Sequence, residues 1–172
     1  MSSNQKSRSL FSLAGFGLAT AGAAWFGSRY SAAKKKNGDW YRDLDKPGFT
    51  PPNGVFPMVW TPLYALMAWS GWRVYNAPGS TNRSLALRLW FSQLSTNARW
   101  SKLFFGKHRP DLALSDLLIL EAFMLGYIVA ARDVDRAAAQ AFIPYAAWLA
   151  FAGLLNAEIV RRNPSFAEAA TA

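Results

Sequence analysis

Three runs in the chain carry aromatic and amide side chains at helical spacing. Trp60 and Tyr64 stand one turn apart in FPMVWTPLY, residues 56–64. Trp90, Gln93, Asn97 and Trp100 follow at steps of three, four and three. Tyr145, Trp148 and Ala152 lie at i, i+3 and i+7. Residues three and four apart share a helix face, so each run gathers flat π surfaces on one side. Such faces can stack on a flat apolar ring, with an amide to orient it. Two other readings stand beside this one. Trp and Tyr also form belts at membrane interfaces, and amides also join helices to each other.

Other chemistries are poorly served. There is no cysteine, so thiolate catalysis, disulfides and cysteine metal sites are excluded. The only histidine, His108, cannot build a histidine metal cluster. It reads as a solvated loop residue of FFGKHRP or as a single haem ligand. No Ser-His-Asp set, paired-carboxylate site or glycine-rich phosphate loop is present. An aromatic-lined cavity with few polar groups suits a flat apolar ligand. Porphyrins and sterols both fit.

The elements that hold these faces are set by gaps in the charge pattern. Residues 9–28, with Arg8 just before them, and residues 47–72 and 137–157 are three long stretches without any Asp, Glu, Lys or Arg. A helix needs roughly 20 apolar residues to cross a bilayer core. Residues 84–105 and 112–131 are similar, with a few charges. In the latter, Asp116 and Glu121 sit at membrane depth, where acids are costly and face protein or water. Asp116 could instead cap its helix or pair with Arg109. The pattern predicts an all-α membrane protein, a bundle of five transmembrane helices. The spans fall at about 10–28, 54–76, 84–105, 112–131 and 137–160, within a domain of residues 10–163. A basic tail, 1–9, precedes it and a tail, 164–172, follows. Mean hydropathy is only +0.02, which a soluble bundle would also allow, but residues 137–157 lack the charged face such a helix shows. Residues 6–23 also resemble a signal peptide, with Ala19-Thr20-Ala21 as a cleavage site.

The net charge of +9 has a membrane explanation. With five spans, 12 of the 19 Lys and Arg fall on the side of the first loop, third loop and C-terminus. The positive-inside bias then makes that side cytoplasmic. Basic residues mark span ends rather than one stripe, which argues against nucleic acid. Within the second span, Pro57 and Pro62 free backbone carbonyls. That is tolerated where other helices or a cavity surround the helix.

WYRDLDKPGFTPPNGVFPMVWTPLY, QLSTNARWSKLFFG and IPYAAWLAFAGLLNAEIVRRN resemble the translocator protein family. That family includes the bacterial tryptophan-rich sensory proteins and the animal peripheral benzodiazepine receptors. The likeness runs from about residue 10 to residue 163, and WFGSRY at 25–30 matches the end of a retained first helix. It implies a five-helix bundle, commonly a homodimer, in a bacterial cell envelope or a mitochondrial outer membrane. The short N-terminal tail favours the bacterial envelope. It implies binding of a porphyrin such as protoporphyrin IX or haem, with no obligatory cofactor. Transport of porphyrins, cholesterol or other lipids, stress signalling, and light-dependent porphyrin degradation are the roles it offers. If porphyrin is degraded, Trp60 and Trp148 are the catalytic residues it points to. The ligand-binding set it supports with the helix faces is Trp60, Tyr64, Gln93, Asn97, Tyr145, Trp148, Ala152 and Leu155. Arg42 or Lys46 could pair with propionates, on charge alone. This chain has Phe49, Gly54, Ala98 and Ala131 where relatives usually have tryptophan. It has Ala157 in place of the tyrosine of a sterol-recognition stretch.

Overall fold

The computed structural model describes residues 3–32 and 34–164. Parts of the two expected tails, residues 1–2 and 165–172, lie outside the described residues. Among the described residues all regular structure is helical. Five long helices are α1 (Ser3–Ser28), α3 (Val55–Asn76), α4 (Thr81–Ser101), α5 (Pro110–Arg132) and α7 (Ile143–Arg162). Two short ones are α2 (Lys35–Asp43), in the first loop, and α6 (Arg136–Gln140). A π-helical turn, Lys102–Gly106, extends α4.

Three helical segments are long and apolar enough to cross a membrane: Ser7–Ser28, Pro110–Arg132 and Arg136–Arg162. Large apolar side chains such as Phe11, Leu18, Val129 and Leu154 point outward from them. An apolar outer surface of this extent needs lipid or protein around it. The helices α3 and α4 are as long but fall outside that set. In α3 the cause is its Trp, Tyr and Pro content, and in α4 it is Arg83, Arg88 and Arg99.

Helix α1 packs on α3 and α4, and α5 packs on α4 and α7. Gly71 makes the first crossing possible. A Cβ there would lie 2.6 Å from the Phe16 ring and 2.8 Å from the Trp90 ring. Trp90 is fully buried and donates its Nε1–H to the Met67 carbonyl at 2.9 Å. The helices α3 and α7 are not among the closely packed pairs. Aromatic side chains bridge the space between them instead.

Two elements depart from simple spans. Helix α3 continues through Pro62, although proline offers no N–H to the carbonyl four residues back. The segment expected at 137–160 is two pieces, because α6 ends at Gln140 and α7 begins at Ile143. Phe142 N–H turns back to the Ala139 carbonyl at 3.1 Å. Pro144 then occupies the first turn of α7, where a missing N–H costs nothing.

The first loop is docked, not free. Tyr41 packs on Phe104 and Phe105, and Trp40 stacks flat on His108 at 4.4 Å. Lys46 Nζ donates to the carbonyls of Tyr41, Arg42 and Leu44, which caps the end of α2.

Candidate functional site

A cavity of about 490 Å3 opens among α1, α3, α4, α5 and α7. That lies in the roughly 300–1,000 Å3 range of small-molecule sites. Helix α3 turns Phe56, Trp60, Thr61 and Tyr64 toward it, a face set by three- and four-residue spacing. Helix α4 and its π-turn add Asn97, Trp100, Ser101, Phe104 and Phe105. Helix α7 adds Trp148, Leu149, Ala152, Leu155 and Asn156, and α5 adds Leu117 and Leu120. Tyr41 and Asn53 of the first loop close one end, beside Ser28 and Ser31 at the end of α1.

Most of the wall is aromatic. Trp60 lies 5.4 Å from Tyr64 and 5.9 Å from Tyr145, ring to ring. Trp148 lies 5.9 Å from Phe56 and 5.4 Å from Phe151. Trp100 stacks on Phe104 at 5.0 Å. These tilted and edge contacts are the favourable aromatic geometries. They leave ring faces and edges for a flat guest.

A polar strut stands behind the rings. Tyr64 donates its hydroxyl to Asn97 Oδ1 at 2.7 Å. Asn97 Nδ2 donates to the Tyr145 hydroxyl oxygen at 3.0 Å. One amide thus ties α3, α4 and α7 together. A second joint uses Asn156, which accepts from Trp100 Nε1 at 3.2 Å and donates to the Pro110 carbonyl at 2.8 Å.

Six of the residues expected at the site line the cavity: Trp60, Tyr64, Asn97, Trp148, Ala152 and Leu155. Two stand elsewhere. Gln93 is fully buried in the packed interior and donates to the Trp90 carbonyl. Tyr145 is buried behind Asn97 and acts on the cavity through it. Phe56, Trp100, Phe104 and Asn156 also form the wall. Trp100 was visible in its helical run, and Phe56 and Asn156 were findable by extending the i, i+4 series of Trp60 and Ala152 by one step. Phe104 lies in the π-turn and carries no such signal.

The charged residues lie outside. Asp116 pairs with Arg99 rather than Arg109, and Arg109 pairs with Asp111. Arg42 pairs with Asp39 and Lys46 is committed to carbonyls, so neither guessed propionate partner lines the cavity. His108 is not a cavity residue either. Burial and nearby Lys36 hold its pKa below the ordinary imidazole value. No cluster of metal-ligating side chains occurs among the described residues. Ala131 is fully buried in the core and away from the cavity. Gly54 faces open space, and Phe49 is half exposed against Phe151.

The arrangement is a binding site in form, with stacking surfaces and little acid–base chemistry. Comparison with known proteins agrees on what kind of chain builds it. Residues 16–162 match the model of the TspO/MBR family. The chain is 36% identical to the tryptophan-rich sensory protein of Cereibacter sphaeroides over 133 residues, 77% of this chain and 82% of that one. It is 35% identical to the human translocator protein over 151 residues, 87% of this chain and 88% of that one. It is 36% identical to Protein CrtK of Rhodobacter capsulatus over 128 residues, 74% and 80% of the two chains. With residues 16–162 matched to the family model and relatives about 35% identical over most of both chains, the chain belongs to the TspO/MBR family of membrane proteins.

Proposed function

We propose that the protein binds a tetrapyrrole, a porphyrin such as protoporphyrin IX or haem, in the aromatic cavity. The carrying observation is that cavity: about 490 Å3, walled by Trp60, Tyr64, Trp100, Phe104 and Trp148, with Asn97 as its central amide. A flat ring gains most from such faces. The polar end formed by Ser28, Ser31 and Asn53 suits substituents such as propionates.

In this reading α1, α3, α4, α5 and the α6–α7 pair are five transmembrane spans. The first loop and the C-terminus face the cytoplasm, since 12 of the 19 basic residues would lie there. The envelope membrane of a bacterium is the proposed location, and a homodimer the proposed assembly. Handling of the ligand, by carrying it or holding it under stress, follows from binding. Light-dependent degradation would add chemistry at Trp60 and Trp148.

The test is quenching of tryptophan fluorescence in the detergent-purified protein by protoporphyrin IX. Absorbance is then followed under illumination. Saturable quenching at micromolar ligand or below supports the reading. A new absorbing product, lost in the Trp60→Phe/Trp148→Phe variant, adds degradation. Absence of saturable quenching rejects the tetrapyrrole and turns attention to sterols and other lipids, whose transport is the alternative.

A further inference from the structure

Trp148 lines two spaces at once. Its ring belongs to the wall of the internal cavity. It also forms part of a second hollow, about 580 Å3, on the outer surface between α3 and α7. That groove is lined by Met58, Val59, Pro62, Leu63 and Leu66 of α3 with Pro144 and Ala147 of α7. Every one of these side chains is apolar. Met58, Pro62, Pro144 and Ala147 are exposed. No other residue is shared by the two hollows.

The indole is also held without a hydrogen bond. Trp72, Trp90 and Trp100 each donate Nε1–H to a protein acceptor. Trp148 Nε1 is buried with no hydrogen-bond partner among the described residues. Its aromatic contacts among the described residues are Phe56 and Phe151, and it packs on the edge of the apolar core. No hydrogen bond therefore anchors the indole in its seated position. Ala147 and Ala152 flank Trp148 with minimal bulk. The backbones on either side are not closely packed, as noted for α3 and α7. A proline stands in each helix at the groove, Pro62 within α3 and Pro144 in the first turn of α7.

We propose that the cavity exchanges its ligand sideways with the bilayer, through a portal between α3 and α7, and that Trp148 is the gate. Seated, the indole closes the inner wall. Swung toward Ala147, it joins the groove to the cavity. The traveller is a flat apolar molecule already dissolved among the acyl chains. It need not pass the docked first loop, whose Tyr41 and Asn53 line the cavity. The proposal rests on the membrane placement above, though not on the identity of the ligand.

The absence of native cysteine allows a direct test. Ala152→Cys places one thiol on the cavity wall. The protein is reconstituted in liposomes and labelled with pyrenyl maleimide, a flat reagent that partitions into bilayers. A parallel reaction uses a trimethylammonium methanethiosulfonate, confined to water. Trp148→Ala in the Ala152→Cys background should speed pyrenyl labelling at least tenfold, with the charged reagent unchanged. Ala147→Trp, which fills the groove from its exposed side, should slow pyrenyl labelling by a similar factor. Asn163→Ala, which releases the first loop, should leave it unchanged. The portal is overturned if Ala147→Trp has no effect, or if Asn163→Ala accelerates the pyrenyl reagent. Equal acceleration of both reagents by Trp148→Ala also overturns it, since entry would then be aqueous. The labelling uses no tetrapyrrole, so loss of the portal and loss of the tetrapyrrole reading are separate results.

Discussion

The side-chain amide of Asn163 hydrogen-bonds both backbone groups of Asp45. The Asp45 N–H donates to Oδ1 at 3.0 Å, and Nδ2 donates to the Asp45 carbonyl at 2.9 Å. The amide thereby acts as a strand-like partner, fastening the first loop to the end of α7. Asn163→Ala removes both bonds. The expected cost is about 1 kcal/mol, since the bonds are exposed to water. The sensitive measurement is hydrogen exchange of residues 36–46, which should quicken while α5 stays protected.

Asn97 joins two phenols, and its loss should show non-additivity. Asn97→Leu leaves the Tyr64 and Tyr145 hydroxyls without their shared partner. Unpaired buried polar groups cost about 1–3 kcal/mol each. A fall in thermal stability in detergent worth about 2–3 kcal/mol is expected. Adding Tyr64→Phe and Tyr145→Phe should recover most of it, because replacing all partners with apolar groups is nearly neutral. Recovery would fail if Asn97 acted only by filling space.

The Arg99–Asp116 pair is lopsided. Asp116 is 4% exposed and Arg99 is 54% exposed in their side chains. Asp116 Oδ2 is also buried without a partner. Removing the cation strands a buried carboxylate, for which about 3–5 kcal/mol is typical. Arg99→Leu should fall near the low end, because Arg99 itself is half solvated. Asp116→Asn should be milder, and the double change milder than Arg99→Leu alone. The ranking of the three melting temperatures decides it.

His108 should make the docking of the first loop pH-dependent. Its imidazole stacks on Trp40, and its pKa lies below the ordinary 6.5 through burial and then the charge of Lys36. The undocked histidine binds a proton more readily than the docked one. Docking is therefore full above pH 6.5 and weakens as pH falls through the lowered pKa. Exchange of residues 36–46 should quicken on acidification. His108 has φ of 55°, a conformation asparagine tolerates. His108→Asn should flatten the pH profile.

Much of the site was legible because a helix face needs only spacing. Trp60 with Tyr64, Asn97 with Trp100, and Trp148 with Ala152 are each set one turn apart, and each pair reaches the same cavity. Gln93 shares that spacing with Asn97 but lies a turn deeper, where Trp90 fills the interior. Phe104 depends on the π-turn at Lys102–Gly106, which rotates the chain after α4 by an amount no periodicity announces. The partner of Asp116 was hidden for a similar reason. Arg109 is nearer in sequence, yet Arg99 lies across the α4–α5 contact. Pro144 signalled an irregularity, but the gap between Gln140 and Ile143 depends on how α6 packs on α3.

The Tyr64–Asn97–Tyr145 strut has a consequence for an empty protein. An apolar hollow of this size invites neighbouring side chains to relax into it, because unfilled space forfeits packing contacts. Three helices held apart at a fixed separation by one amide resist that collapse. For the ligand proposed above, little reorganisation would then stand between arrival and full contact area. On the binding proposed above, part of the affinity is set in advance by the bonds that Asn97 makes to Tyr64 and Tyr145.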